Sequence, residues 1–263
     1  MAFPADVLII AREDDRVAIR LRRALEERSR RVIQFDGPSA SRIFTIRVRS
    51  DSTVVAPSVP MFVRASAWWS DPAPESPDDL FLRAEEYATF WAATTLCAAP
   101  VINRPGRHGG VGRLTYGAIA GASRSRPEPG RSEIFASGPE LVAETDGAFW
   151  AEDANYVSAP IGDLPAKAPV RARKLNPSAL YEIITVVGDR GFSATSDPRS
   201  SELDLIGQSL ALARRIGVHF ATITWAVDGA GATAVRLNDA PEESELRYAW
   251  NEVAQAICED LTP

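Results

Sequence analysis

The first hundred residues carry hydrophobic patterns typical of alternating strands and helices. A continuous apolar run from Asp6 to Arg12 (DVLIIAR) predicts a buried parallel strand. A helix is predicted from about Asp14, capped by Asp14 or Asp15, because the following charged stretch has apolar residues at helical spacing: Val17, Leu21, Ala24 and Leu25. The run RVIQFD, from Arg31 to Asp36, predicts a second strand. Together these elements predict a βαβ unit.

The pattern changes after the βαβ unit. Clean alternation from Arg42 to Ala56, around Ser50-Asp51, predicts a β-hairpin, and Pro60 to Ser70 predicts a further strand. A long helix is predicted to begin near Pro77. Its predicted core face consists of Phe81, Ala84, Tyr87, Ala88, Trp91 and Ala92. We therefore expect an α/β domain over residues 1–102.

The last third of the chain, Leu180 to Leu261, alternates β-branched and polar residues in two strand pairs. The first pair (YEIITVVG and GFSATS) turns at Asp189-Arg190, and the second (HFATITWAV and ATAVRLNDAP) turns between Asp228 and Gly231. A helix is predicted from Ser201 between the pairs. A final helix is predicted from the spacing of Leu246, Trp250, Val253, Ala254 and Ile257. We expect residues 103–263 to form an α+β domain.

Periodicity is lost between these two parts, from Gly106 to Ser132, where Gly, Pro, Ser and Arg are concentrated. We expect this stretch to be the most mobile internal segment. The glycines around His108 leave two interpretations open, an acid–base group beside an anion-binding loop or a disordered surface loop.

Composition narrows the functional classes. The chain is 45% hydrophobic and 24% charged, with a net charge of −6, and its basic residues are 27 Arg and 2 Lys. The basic run from Arg16 to Arg31 is interleaved with Glu26 and Glu27, so it predicts a solvated helix face and no nucleic-acid partner. The absence of a signal segment or a long apolar run predicts a cytoplasmic protein with no membrane partner. Cys97 and Cys258 are expected to be reduced thiols in the core.

Common chemical motifs are missing from the chain. It has no G-x-G-x-x-G, no P-loop and no G-x-S-x-G serine elbow. Glu152 and Asp153 are interpreted either as metal ligands or as part of a solvated loop. His219 is expected to be a packed or hydrogen-bonded residue. An acidic group, which consists of Asp239, Glu242, Glu243 and Glu245, is expected to cap the final helix.

A family resemblance rests on the order of several motifs: the βαβ start, a long helix with Glu85-Glu86, VINRP, PVRARKL followed by ITVVGDRGFSA, IGVHFA and VRLNDAP. This order resembles the ATP-grasp carboxylate-amine ligases, in particular the branch of ribosomal-protein glutamate ligases and microviridin-type peptide ligases. The resemblance covers nearly the whole chain. It implies an α/β plus α+β fold with two lobes around ATP and a central lid. In this sequence the lid corresponds to Glu133 to Ala168 and is shorter than the family's. The resemblance also implies that Mg²⁺ bridges the phosphates while a carboxylate is phosphorylated and then attacked by an amine.

The match departs from the family at three positions. Thr224 and Arg236 stand where the resemblance calls for metal-binding acids, and Ile183 stands where it calls for an Arg, while Asn238 is retained. We assign candidate catalytic roles to Arg236, Asn238 and His108. Candidate substrate or nucleotide ligands are Arg104, Arg113, Arg171, Arg173, Lys174, Glu182 and Trp225.

Two hypotheses follow from these departures. In the first, a peptide- or natural-product-tailoring protein has lost Mg-ATP ligase chemistry and acts as a substrate-binding component or an ATP-independent enzyme. In the second, an active ligase takes its metal at Glu152 and Asp153. ATP and Mg²⁺ are implied by the resemblance and opposed by the departures, so the cofactor stays open. The expected partner is a peptide or a small molecule, and the choice between a monomer and a homodimer is also open.

Overall fold

The computed structural model describes residues 3–64, 76–104, 119, 122, 133–136, 149–153, 158–160, 170–174, 179–193, 202–228 and 231–262. Between 133 and 174 it describes the course of the strands. The stretch Gly106 to Ser132, for which we predict mobility, lies outside the described residues except for Ile119 and Ala122.

The N-terminal part is a parallel sheet covered by helices. Its elements are β1 (Val7–Ile10), α1 (Arg16–Glu26), β2 (Val32–Phe35), α2 (Gly37–Ser41), β3 (Thr45–Val48), β4 (Thr53–Ala56), β5 (Met61–Val63), α3 (Pro77–Leu96) and β6 (Val101–Ile102). The sheet order is β2-β1-β5-β6, and every pairing in it is parallel. The hairpin β3-β4 forms a separate antiparallel pair.

Local sequence signals account for most of this part. All four residues of β1 are buried, as its unbroken apolar run predicts. α1 buries Val17, Leu21 and Leu25, and Asp15 caps it by accepting a hydrogen bond from the Ala18 N–H at 3.0 Å. The predictions of the βαβ unit and of the β3-β4 hairpin are confirmed.

The predicted core face of α3 is wrong. Phe81 is 68% exposed, and the buried residues are Phe90, Ala93 and Thr94, followed by Cys97 after the helix. Only the C-terminal half of α3 packs against α2 and the β3-β4 hairpin, so the first turns carry apolar side chains that this core does not cover. Spacing within the helix does not reveal where its supporting surface ends.

The rest of the chain forms two antiparallel sheets and the closing helices. The elements are β7 (Glu133–Ala136), β8 (Phe149–Asp153), β9 (Ser158–Pro160), β10 (Val170–Lys174), β11 (Leu180–Val187), β12 (Arg190–Ser193), α4 (Leu205–Ile216), β13 (Phe220–Asp228), β14 (Gly231–Asn238), α5 (Glu243–Leu246), a 3-10 turn (Arg247–Ala249) and α6 (Trp250–Leu261). The central sheet has the order β7-β10-β8-β9, and the C-terminal sheet has the order β12-β11-β13-β14. α4 begins four residues later than predicted, after Asp204, whose side chain accepts the Gly207 N–H at 3.1 Å.

The two faces of the C-terminal sheet pack against different elements. One face packs against α4 through a core that includes Ile184, Ile223 and Leu237. On the other face, Val187 and Phe220 join a core shared with α6 and the N-terminal sheet, where the rings of Phe62 and Phe220 lie 5.7 Å apart. All apolar residues predicted for the final helix are buried, Leu246 in α5 and Trp250, Val253, Ala254 and Ile257 in α6. α6 therefore ties the N-terminal sheet to the C-terminal sheet.

Cys97 and Cys258 are free and buried, which confirms the prediction of reduced core thiols. Burial raises the pKa of the Cys258 thiol. No helix in the described part of the chain is long and apolar enough to cross a membrane.

Candidate functional site

The three departures from the family pattern lie side by side in the C-terminal sheet. In the register of neighbouring strands, Ile183 of β11 is opposite Thr224 of β13, and Thr224 is opposite Arg236 of β14. One pair further along the same face, Thr185 is opposite Thr222, which is opposite Asn238. These six residues form a patch that we call the polar row.

Glu245, on the short helix α5, closes the polar row. Its Oε1 accepts hydrogen bonds from Arg236 Nη1 at 2.7 Å and from Thr222 Oγ1 at 3.1 Å. Its Oε2 accepts from Asn238 Nδ2 at 2.7 Å and from the Glu242 N–H at 2.9 Å. A carboxylate offers about four lone-pair directions. The protein itself therefore supplies a donor for each of them.

The Arg236–Glu245 ion pair is largely removed from water. The side chains retain 20% and 10% of their exposure, respectively. At these exposures the opposite charges attract each other through an environment much less polar than water. The pair makes the centre of the polar row electrically neutral without an added ion.

Tyr248 covers the polar row beyond Glu245. Its hydroxyl accepts from the Thr185 N–H at 3.0 Å, lies 2.8 Å from Thr185 Oγ1 and donates to the Phe192 carbonyl at 3.0 Å. Burial is the main cause that raises the pKa of this phenol, so the hydroxyl keeps its proton at neutral pH. Tyr248 thus locks the closing segment onto β11 and β12.

Asn103 links the N-terminal sheet to the edge of the polar row. Its Nδ2 donates to the Asp239 carbonyl at 2.7 Å, and its Oδ1 accepts from the Phe220 N–H at 2.9 Å. The side chain is buried, and the backbone is left-handed with φ of 58°. The residue after β6 therefore holds the start of β13 and the residue that follows Asn238.

Two predicted ligands lie on the opposite face of the same sheet. Glu182 is opposite Trp225, and both residues are 1% exposed. The indole Nε1 of Trp225 donates to Ser209 Oγ of α4 at 2.8 Å. The structure places these two residues in the core beneath α4 and does not bring them together with Arg236 and Asn238.

Arg104 lies at the C-terminus of α3, where its guanidinium donates to main-chain carbonyls. Nη1 donates to Thr95 and Cys97 at 2.6 and 2.9 Å, and Nη2 donates to Ala99 at 3.1 Å. Thr95 belongs to the last turn of α3, where a helix end leaves carbonyls without helical partners, and Cys97 and Ala99 follow the helix. The observed role of Arg104 is to cap α3.

The remaining candidates lie on the central sheet or outside the described residues. Arg171 is opposite Glu152, Val170 is opposite Asp153, and the positions opposite Arg173 and Lys174 on β8 are Trp150 and Phe149. His108 and Arg113 lie outside the described residues. Among the described side chains, no group of three or more His, Cys, Asp and Glu is arranged to hold a metal ion.

His219, directly before β13, belongs to a separate cluster. Its Nε2 lies 2.7 Å from Asp260 Oδ2, and Arg190 donates to Asp260 and to Glu259. This cluster joins the β11-β12 turn to α6. The prediction of a hydrogen-bonded His219 is confirmed.

The sequence analysis did not predict that Glu245 accepts hydrogen bonds from the polar row. It assigned Glu245 only to the acidic group that caps the final helix. A signal was present, because Glu242 and Glu245 have the spacing of a capping box, which folds the second side chain back toward the start of the helix. Since α5 starts five residues after β14, that direction also leads back over the sheet.

Comparisons with known proteins identify the fold. No family model and no curated protein matches the sequence. Solved structures match over nearly all of the chain. Macrocyclase MdnC from Microcystis aeruginosa MRC, bound with precursor peptide MdnA, is 15% identical, with coverage of 98% of this chain and 99% of that chain and a TM-score of 0.61.

Two further structures extend the comparison. The ATP-grasp ligase PsnB, complexed with minimal precursor, Mg and ADP, is 15% identical, with coverage of 100% and 99% and a TM-score of 0.63. A RiPP-associated ATP-grasp ligase from Chryseobacterium gregarium, in complex with ADP and a leader and core peptide, is 12% identical, with coverage of 97% and 96% and a TM-score of 0.55. The predicted ATP-grasp fold is confirmed.

Proposed function

We propose that this chain, which has the fold of the ATP-grasp peptide ligases, binds a peptide or small-molecule substrate in a tailoring pathway and does not catalyse Mg-ATP-dependent ligation. The observation that carries the proposal is the engagement of Glu245. Its carboxylate accepts four hydrogen bonds from the protein and forms an ion pair with Arg236.

The polar row does not fit Mg²⁺. This ion prefers oxygen ligands with available lone pairs in a near-octahedral arrangement. Thr224 offers a neutral hydroxyl where the resemblance calls for an acid, and Glu245 has a donor on each lone-pair direction. Arg236 cancels the charge of Glu245, so the polar row offers a divalent ion no net negative charge. We therefore derive no reaction step through a metal at this position.

The second hypothesis places the metal at Glu152 and Asp153. The register weighs against it in two ways. Consecutive positions of a paired strand belong to opposite faces of the sheet, so these two residues occupy different faces of β8. In addition, the position opposite Glu152 is the cation Arg171. In general, positions of opposite charge on facing strands stabilise the pairing of the strands.

Solved structures of the same fold support a peptide substrate. MdnC, PsnB and the Chryseobacterium gregarium ligase were each solved with precursor, leader or core peptide. In this chain we propose that the substrate binds beside Asn103 and Asn238, where the N-terminal sheet meets the edge of the polar row. Any activity of the protein is expected to depend on this region without consuming ATP.

The experiment is an ADP-release assay with ATP, Mg²⁺, peptides that carry Asp or Glu side chains, and an amine donor. We expect the wild type to release ADP no faster than a sample without protein. The paired variant Thr224→Asp/Arg236→Glu tests whether restored acids restore turnover, and Glu252→Gln, an exposed position on α6, is the matched control. ADP release by the wild type that is lost in Glu152→Ala or Asp153→Ala would overturn the proposal in favour of a relocated metal site.

A further inference from the structure

Arg64 is a buried cation at the carboxyl edge of the N-terminal sheet. It directly follows β5, and its N–H donates to the carbonyl of Ile10, the last residue of β1, at 2.8 Å. Its side chain is only 6% exposed. Among the described residues, it is the one Lys or Arg that is buried.

The guanidinium of Arg64 is held at the N-terminus of α1. Its Nε donates to Asp15 Oδ2 at 2.7 Å, while Asp15 Oδ1 accepts from the Ala18 N–H at 3.0 Å. Because the second oxygen of Asp15 caps the helix, the acid does not form a two-bond fork with Arg64. The buried Nη1 of Arg64 donates to none of the described residues.

The position is one where sheets of this type bind ligands. From β1 the chain passes through α1 to β2 on one side, while β5 lies on the other side of β1. Connections that leave in opposite directions open a crevice outside the carboxyl ends of the two strands. The eleven-residue helix α1 begins in that crevice, and its N-terminus favours negative charge.

The surrounding charges select the kind of ligand. Glu13 and Asp14 are exposed in the same loop as Asp15, and Arg12 pairs with Asp14 at 3.0 Å. This acidic surrounding opposes a dianion such as phosphate more strongly than a monoanion. A carboxylate is planar, carries one charge and matches the guanidinium fork.

We propose that Arg64 Nη1 and the N-terminus of α1 bind a ligand carboxylate at the carboxyl edge of the N-terminal sheet. This site lies apart from the polar row, and it does not depend on whether Mg-ATP ligation is lost. Its chemistry suits either an acidic peptide side chain or a free peptide C-terminus.

The test is an NMR titration of the full-length wild type that follows the Arg64 Nε–H and the first amides of α1. N-acetylglutamate α-amide represents the side-chain source, N-acetylglycine represents the C-terminal source, and inorganic phosphate is the dianion. We expect one of the two carboxylates to shift these signals saturably at millimolar concentration, and phosphate to shift them less.

Two variants complete the test. Arg64→Lys keeps the charge but removes the fork, and we expect it to bind the carboxylate at least about tenfold more weakly. The matched control is Arg31→Lys, since Arg31 pairs with Asp6 at the opposite, amino edge of the same sheet and is 67% exposed. Its affinity should stay unchanged.

The wild-type titration decides the proposal even if Arg64→Lys does not fold, which its circular dichroism and thermal melt reveal. Three results would overturn it: no saturable shift of Arg64 by either carboxylate, equal or stronger binding of phosphate, or unchanged affinity in a folded Arg64→Lys variant.

Discussion

Arg236 Nη1 lies 2.7 Å from Glu245 Oε1, and this contact joins the end of β14 to the short helix that follows it. The ATP-grasp resemblance calls for an acid at position 236. This chain has a cation there instead and provides its countercharge from Glu245. The pair makes this region neutral and internally bonded, at a position where the resemblance implies a metal-binding acid.

The first prediction concerns Glu245. Glu245→Gln removes the negative charge that faces the largely buried Arg236, so we expect the free energy of unfolding to fall by about 2–3 kcal/mol. Urea denaturation of the wild type and the variant measures the difference.

A double-mutant cycle isolates the ion pair. Arg236→Met combined with Glu245→Gln should cost clearly less than the sum of the two single changes, because neither variant side chain then carries an unpaired charge. Glu252→Gln, on the exposed side of α6, should change stability by less than about 0.5 kcal/mol. Additive effects of the two substitutions would show that the pair is not energetically coupled.

The second prediction concerns Asn103. Asn103→Ala removes a donor to the Asp239 carbonyl and an acceptor for the Phe220 N–H, and both main-chain groups are left in a buried environment. We expect a loss of about 3–4 kcal/mol in the free energy of unfolding, measured by urea denaturation.

Backbone conformation separates two contributions to this loss. Asn103 has φ of 58°, which disfavours Ala but not Gly. Asn103→Gly should therefore be more stable than Asn103→Ala by about 1 kcal/mol, although both lack the amide. Asn251→Ala, at an exposed position of α6, is the control. If Asn103→Gly were less stable than Asn103→Ala, the strain argument would fail.

The third prediction is a pH dependence. Hydrogen bonds from the Arg31 side chain, and then from its main-chain N–H, lower the pKa of Asp6 from 3.8 to about 2. A carboxyl whose pKa is lower in the folded state stabilises that state above its unfolded pKa, and the stabilisation disappears as pH falls to the folded value. Asp6→Asn should lower the Tm at neutral pH, and its difference from the wild type should close between about pH 4 and pH 2.

Thermal melts across this pH range measure the effect. Asp51→Asn, in the exposed β3-β4 turn, is the matched control for the loss of a surface carboxyl. A gap for Asp6→Asn that widens toward pH 2 would contradict the assigned direction of the pKa shift.

Local sequence patterns were sufficient to predict β1 and α1. The apolar run of β1 and the stripe of α1 predicted a buried parallel strand and its covering helix, because burial on both faces of a strand and on one face of a helix leaves a direct trace in sequence. The face of α3 could not be predicted in the same way. Phe81 has helical spacing with the later apolar residues, but only tertiary packing decides that the core begins at Phe90.

The candidate site was predictable in part. Motif order assigned Thr224 and Arg236 to positions where the resemblance calls for metal-binding acids. The strand register brings the two residues opposite each other. The bond from Arg236 to Glu245 depends on how α5 folds back over β14, which no periodicity in the sequence records. Trp225 and Glu182 were assigned to ligand binding because they lie within the motifs that carry the resemblance. The alternation of side chains along β11 and β13 instead turns both residues toward α4.

The measurement that tests the central claim most directly is calorimetric titration of the wild type with ATP, once with Mg²⁺ and once with EDTA. Because Arg236 and Glu245 satisfy each other and Thr224 is not an acid, we predict that Mg²⁺ does not strengthen ATP binding. The variant Thr224→Asp/Arg236→Glu should bind ATP more tightly with Mg²⁺ than with EDTA. Wild-type binding that Mg²⁺ strengthens by at least about tenfold would contradict the account.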